Sequence, residues 1–449
     1  MASGAALHGL YWTGILQNYS HMEQQGYFAK KISTLRKLFY YRVIINGERL
    51  KARLLKKISR PAGSYDLVMI DDVVPKGLSG FRNYEFVFLL NTIKNSAVYS
   101  IMGNNLSPKK ALQYFPIKKE DEYNASRDRF CRDYGIDRSK LHPFFPWTNI
   151  KAKLAYVVFL TNADYLIDYL EAHSIKFILE LYPGGGLTVL TEGPTFNNLK
   201  RVLNSPCLET VIATQINTYN FLLEHKVCDK DKVVFIYGGI LAPEFMAIPP
   251  KEVRYPLHKD TIDICFGAAK YMPQGQDKGY DVFIEMAHLL LARSDKFRFH
   301  IIGDFNEHDI PLAPQYRQYF TYHGFLKNEN TIPFYKDKDI FVSPNRAFVL
   351  GNGAFDGFPT GTAAEAGLQG LCVLLTDPLK LNIFFDEGRD AIFLQPDANQ
   401  FADFIIHLSA DPAEIYNIGE RGKLALQKAF DYKAQLDMRL ALINKSLHK

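Results

Sequence analysis

The sequence predicts an α/β protein built from two doubly wound, Rossmann-like domains that face a cleft. Short apolar runs of strand length alternate along the chain with stretches of helical spacing. The length, 449 residues, is enough for two domains, each with its own core. Within residues 339–377 one complete unit can be read off, with strand, loop, helix and strand in succession. In such sheets ligands sit outside the carboxyl ends of the strands.

The first domain is expected over 1–240, with an insertion over about 104–150. Residues 1–29 show no clear periodicity and receive no function. Arg42-Val-Ile-Ile-Asn and Tyr65-Asp-Leu-Val-Met-Ile-Asp-Asp72 read as strands, and Phe86-Val-Phe-Leu-Leu and Ala97-Val-Tyr-Ser-Ile continue the alternation of helix and strand. Asp71-Asp72 could be read as a metal pair, but strand-end acids are far commoner than metal sites and no His or Glu accompanies them. Charges, Pro108, Pro116 and the run His142-Pro-Phe-Phe-Pro-Trp147 interrupt the rhythm, as an insertion lining an acceptor groove would. The winding resumes at Ala155-Tyr-Val-Val-Phe-Leu. Phe177-Ile-Leu-Glu-Leu-Tyr-Pro then runs into Gly184, Gly185 and Gly186, a loop able to take positive φ angles and wrap a polar ligand. A plain surface turn would have the same composition. Glu209 to Gln215 and Lys232 to Tyr237 are further strands, and Gly238-Gly239 is a natural hinge into the second domain.

The second domain is expected over 241–430, and 431–449 as a helix returning to the first. Thr261-Ile-Asp-Ile-Cys-Phe-Gly-Ala-Ala-Lys270 is its first strand, and Asp277-Lys278-Gly279 opens a helix. Phe297 to Asp304, Tyr319 to Phe325, Ile340 to Val342, Cys372 to Leu375 and Phe393 to Pro396 follow as strands. Thr360-Gly361-Thr362 can cap the helix that begins Ala363-Ala-Glu365-Ala. The free N–H groups of Gly361, Thr362 and Ala363 would then meet an anion, and Glu365, one turn in, would aim a carboxylate at sugar hydroxyls. On spacing alone, Asp356 is equally a turn former before Gly357, and Glu365 a solvated helix residue.

Asp356-Gly-Phe-Pro-Thr-Gly-Thr-Ala-Ala-Glu365-Ala-Gly resembles the two-acid signature of family 4 (group 1) retaining nucleotide-sugar glycosyltransferases, which have the GT-B fold. Here the first acid is Asp rather than Glu, and the eight residues before Glu365 are one more than the family pattern. The resemblance covers roughly 155–447; residues 1–150 match only in rhythm. It implies that Lys278, with Lys270 in place of an Arg, grips the donor diphosphate beside Asp356 and Glu365. It also implies that Asn345, Phe358, Thr360, Gly361 and Thr362 line the donor, with His323 and Phe325 near its base. Taken alone, each lysine reads as a surface charge and His323 as a core or turn histidine. The strand end of Glu180 and Tyr182, with Gly184 to Gly186, would face the cleft beside the donor sugar. No His stands there, which leaves the residue touching the sugar open.

The implied activity is transfer, with retention, from a nucleotide diphosphate sugar to a glycan or lipid-linked acceptor, of the kind that builds bacterial cell-surface polysaccharide. No cofactor and no metal are expected; the nucleotide sugar is a substrate. Rivals are a nucleotide-sugar epimerase or glycan phosphorylase on the same architecture, an NAD-dependent dehydrogenase, and a catalytically silent nucleotide-sugar-binding scaffold. No lysine context suits pyridoxal phosphate. No strand–G-x-G-x-x-G–helix unit serves NAD. The five cysteines are scattered without a C-x-x-C pair, as free thiols in a reducing compartment are. No apolar run approaches 18 residues and the start lacks a secretory pattern, so a cytoplasmic protein is expected. A net charge of +5 is too small over this length to argue for nucleic acid. Between Lys30 and Arg60, however, basic residues interleaved with Ile, Leu, Phe and Tyr face the single acid Glu48. This stretch, 30–60, is a candidate patch for an anionic membrane surface, at the inner face of the membrane, or an ordinary solvated helix face.

Overall fold

Leu67, Val68, Met69 and Ile70 are all fully buried, as a strand covered by helices on both faces requires. They form the centre of β1 (Gly63–Asp71), the first strand of a computed structural model that describes residues 63–76, 80–101, 120–145, 147–326 and 328–449. The candidate strand at Arg42 and the basic stretch 30–60 lie outside the described residues. Gly63–Phe144 and Ile150–Lys449 make one unit; Phe145–Asn149 is assigned apart from it.

The first sheet contains β1, β2 (Ser96–Ile101), β3 (Leu141–Phe144), β4 (Ile150–Val158), β5 (Lys176–Leu181), β6 (Leu208–Ala213) and β7 (Val233–Phe235), in the order 3-2-1-4-5-6-7. All its pairings are parallel. Its helices are α1 (Gly80–Thr92), α2 (Glu120–Tyr134), α3 (Leu160–Ala172), α4 (Gly193–Leu203) and α5 (Ile216–Glu224). Residues of α1, α2 and β1 share one apolar layer, while those of α3, α4 and α5 line the opposite layer. The stretch 120–144, expected within an insertion, instead continues the winding as α2 and the edge strand β3. Its sequence hid this because α2 buries only Tyr123, Ser126 and Phe130, and because Pro143 is tolerated in a strand at the sheet edge.

The second sheet repeats the plan. It contains β8 (Ile262–Gly267), β9 (Phe297–Ile302), β10 (Phe320–Gly324), β11 (Ile340–Ser343), β12 (Cys372–Leu375) and β13 (Ile392–Phe393), in the order 10-9-8-11-12-13 and again all parallel. Helices α6 (Tyr280–Leu291), α7 (Asn328–Tyr335), α8 (Gly361–Leu368), α9 (Ala398–Ala410) and α10 (Pro412–Ala429) cover it. Strand order reverses between β1 and β4 in one sheet and between β8 and β11 in the other. These are the places where a doubly wound sheet opens a crevice.

Both crevices hold charge. At the first, Arg82 of α1 bonds Asp71 and Asp72, each at 2.8 Å, and Asn162 bonds Asp72 at 3.0 Å. The paired aspartates thus share one buried guanidinium. The last helix, α11 (Tyr432–Leu447), returns to the first sheet, where Ile443 joins the layer of Leu67 and Met69. Arg439 of α11 is wholly buried and donates to Glu180 at 2.6 and 2.9 Å, with Glu85 at 3.2 Å. One guanidinium cannot balance two carboxylates. Burial, and then the charge of Glu180, push the Glu85 carboxyl well above its usual range, so Glu85 keeps its proton.

The folded chain therefore holds this proton at a pH where the unfolded chain has released it, and stability falls as pH rises above about 4.5. Glu85→Gln mimics the protonated form and removes that slope. Its melting temperature should decline less than that of the parent chain between pH ~5 and ~8. Parallel decline would show Glu85 to be ionised.

Candidate functional site

The crevice of the second sheet is built by backbone first. Helix α8 begins at Gly361, with Thr360 as N-cap accepting from the Ala363 N–H at 3.4 Å. Thr362 Oγ1 donates to the Gly267 carbonyl at 2.7 Å, and Ser343 and Thr360 hydroxyls meet at 3.3 Å. The helix tip therefore rests on the ends of β8 and β11, where the strand order reverses. Space beside Gly361 is open.

Lys278 reaches this point from the other side. Gly279 takes a left-handed φ of 69° and starts α6; a Cβ there would be driven into the Pro344 carbonyl at the end of β11. That close approach delivers the Lys278 ammonium to Asp356 at 2.6 Å, and Asn345 bonds the same carboxylate oxygen at 2.8 Å. Lys278 is 6% exposed. Burial alone would pull its pKa down, but Asp356, Tyr271 and Asp277 outweigh it, and the net shift is upward. The ammonium stays charged. Ser343, Asn345, Asp356, Thr360, Leu375 and Asp377 line a pocket at these strand ends.

Glu365 lies one turn into α8. Among the described residues its carboxyl has no hydrogen-bond or ion-pair partner, and burial pushes its pKa up to about 7. Glu365 is half-buried, and a partly desolvated carboxyl without a partner is a place where a ligand can supply one.

The other expected site residues are distributed differently. Lys270 is engaged by Asp309, at 2.8 and 3.0 Å, and no contact joins it to Lys278. Phe358 is buried against Phe393 and Phe385, and its carbonyl accepts from Tyr237 of the first lobe, so it is a link between lobes rather than an open donor contact. Phe325 is 62% exposed at the end of β10. His323 Nε2 lies 3.1 Å from His300 Nδ1. Gly184, Gly185 and Gly186 all have positive φ, with the Gly185 carbonyl accepting from Thr161 at 2.9 Å. Just beyond, Val189 donates to Gly353 at 3.1 Å and Pro183 approaches Gly357, so this loop meets the Asp356 loop across the cleft.

Glu180 and Tyr182 do not present free polar groups to that cleft. Both are buried, Glu180 on Arg439 and the Tyr182 hydroxyl at 3.3 Å from the same guanidinium, because their side chains point into the layer that α11 covers. Gln215, at the end of β6, was missed: its side chain accepts from the Phe358 N–H at 3.4 Å. A polar residue closing an apolar strand was the available signal. Among the described residues no helix is long and apolar enough to cross a membrane.

Residues 264–411 match the family described as Glycosyl transferases group 1. No curated protein sequence matches the chain. Among solved structures, Anabaena HepE in complex with UDP aligns with a TM-score of 0.58 at 12% identity, covering 85% of this chain and 100% of that one. Sucrose-phosphate synthase from Thermosynechococcus elongatus gives 0.58 at 14%, covering 85% and 98%. A glycosyltransferase from Rickettsia africae gives 0.54 at 15%, covering 86% and 99%. The group 1 match over the second sheet, in a chain of GT-B architecture, makes this protein a glycosyltransferase.

Proposed function

We propose that the chain is a retaining, family 4-like enzyme that moves a sugar from a nucleotide diphosphate sugar to a glycan or lipid-linked acceptor in cell-surface polysaccharide synthesis. The observation that carries this reading is the unpartnered Glu365 carboxyl one turn below an open helix tip, on the helix that follows the loop where Lys278 grips Asp356. The Gly361 and Thr362 amides and the Lys278 ammonium meet the diphosphate, and stabilise the charge that develops on it as the glycosidic bond breaks. Asp356 and Asn345 hold the ammonium in place. Glu365 accepts from ribose hydroxyls, and the exposed Phe325 ring offers the base a stacking surface. Lys270 joins the phosphates only by leaving Asp309.

The HepE structure contains UDP, which favours a uridine donor. Exposed Phe348, Val349 and Leu350, on the loop leading to Asp356, favour an acceptor with an apolar part. That suits a cytoplasmic enzyme working at the inner face of a membrane, with the basic stretch 30–60 toward anionic lipid.

Titrating the full chain with UDP-, GDP- and other nucleotide sugars by calorimetry tests the reading. The intact donor carries constant charge near neutrality, so pH reports on the protein. An acid with a pKa of about 7 must ionise to accept two hydroxyls, and donor affinity should rise about tenfold from pH ~6 to ~8. Glu365→Gln should abolish that rise. A slope unchanged in the variant would remove Glu365 from the donor site.

A further inference from the structure

A chain of polar groups crosses the same face of the second sheet and serves none of these roles. His323 Nε2 meets His300 Nδ1 at 3.1 Å, and His300 Nε2 meets Asp263 Oδ1 at 2.6 Å. Lys259 donates to Asp263 Oδ2 at 2.7 Å and to Asp339 at 2.6 Å. Burial would raise the Asp263 pKa, but the bonds from His300 and Lys259 hold it at about 2. Asp263 can therefore only accept, which fixes a proton on His300 Nε2. His300 Nδ1 then accepts in turn, and among the described residues the donor it meets is the Nε2–H of His323. Burial, with His300 and Lys338, keeps His323 below the ordinary histidine pKa, so its ring is neutral. One atom is left over. His323 Nδ1 carries a lone pair and has no partner among the described residues.

Register places His323 toward the end of the sheet where the helix tip stands. Gly324, next to His323, is level with Ile302 and Gly267, and Gly267 is the residue on which Thr362 of α8 rests. From β8 to β10 is two strand spacings, roughly 10 Å, a separation a nucleoside anchored at the helix tip can cross. The His323 ring also packs at 4.8 Å on Phe334, whose neighbour Tyr335 feels the charge of Glu365.

We infer that His323 Nδ1, its tautomer set by His300 and Asp263, accepts the ring N–H on the pairing edge of the donor base. Uracil and guanine present that N–H; cytosine and adenine present a lone pair there and are rejected. The inference rests on the donor-site reading above.

Calorimetry of the full chain with UDP, GDP, CDP and ADP tests it. UDP or GDP should bind at least ~10-fold tighter than CDP and ADP, and which of the two binds tells uracil from guanine. His323→Phe keeps the packing on Phe334 and should reduce the preference to within ~2-fold while diphosphate binding persists. Asp263→Asn is the sharper variant. Lys259 holds the amide oxygen, so the amide NH₂ faces His300 Nε2; every proton in the relay shifts, and His323 then offers Nδ1–H. CDP should now outbind UDP. Equal binding of CDP and UDP together with equal binding of ADP and GDP by the parent chain, or an undiminished preference in His323→Phe, overturns the inference alone. No binding of any nucleoside diphosphate overturns the donor site with it. Thermal melts establish folding, and if Asp263→Asn does not fold, His323→Phe decides.

Discussion

Lys278→Ala should lower kcat/KM for the donor by about 10²–10³-fold, the usual consequence of removing one preorganised group from a developing anion. The ammonium is buried and stays charged because Asp356 sits 2.6 Å away. It is therefore paid for in advance and needs no reorganisation when the diphosphate leaves. The fold should survive the change. Asp356 keeps its bond from Asn345, and its side chain is 35% exposed, so water can replace the lysine. The melting temperature should move by only a few degrees. Lys278→Arg should restore part of the rate, since charge is retained but not its position. Full activity in Lys278→Ala would reduce the pair to a strut for the Asp356 loop.

What could be read in advance follows from how local each constraint is. Parallel strands buried on both faces are continuous apolar runs, so Leu67 to Ile70, Phe177 to Leu179 and Cys372 to Leu375 announced themselves. The Thr360 cap and the Lys278-Gly279 turn were legible because caps and left-handed glycines are decided within a few residues. Glu180 was misjudged because its partner, Arg439, lies 259 residues away. Nothing near a strand end followed by three glycines reveals that a C-terminal helix will cover it. The partner of Lys270 was hidden for a similar reason, since Asp309 comes from a loop 39 residues on. The tautomer relay through His300 and Asp263 was equally invisible, because three strands must pair in register before those side chains touch.

The same long-range pair sets the largest expected loss of stability. Arg439→Met should cost about 3–5 kcal/mol, the range for removing one partner of a buried ion pair. Methionine fills much of the volume, so the loss is electrostatic: Glu180 loses its guanidinium in the sheet's interior and keeps Glu85 and the Tyr156 hydroxyl, at 2.8 Å, as neighbours. Arg439 also donates to the Gly238 carbonyl at 3.2 Å, in the crossover between the lobes, where Phe430 packs against the glycine. The helix thus fastens the hinge as well as the sheet. Adding Glu180→Gln to Arg439→Met replaces the stranded carboxyl by a neutral amide and should recover a good part of the loss, which a denaturant titration of the single and double variants measures. An unchanged midpoint in Arg439→Met would mean the cluster holds nothing together. Recovery of stability without recovery of activity would assign the guanidinium's bond to Gly238 a separate role, that of keeping the two lobes at the spacing the donor requires.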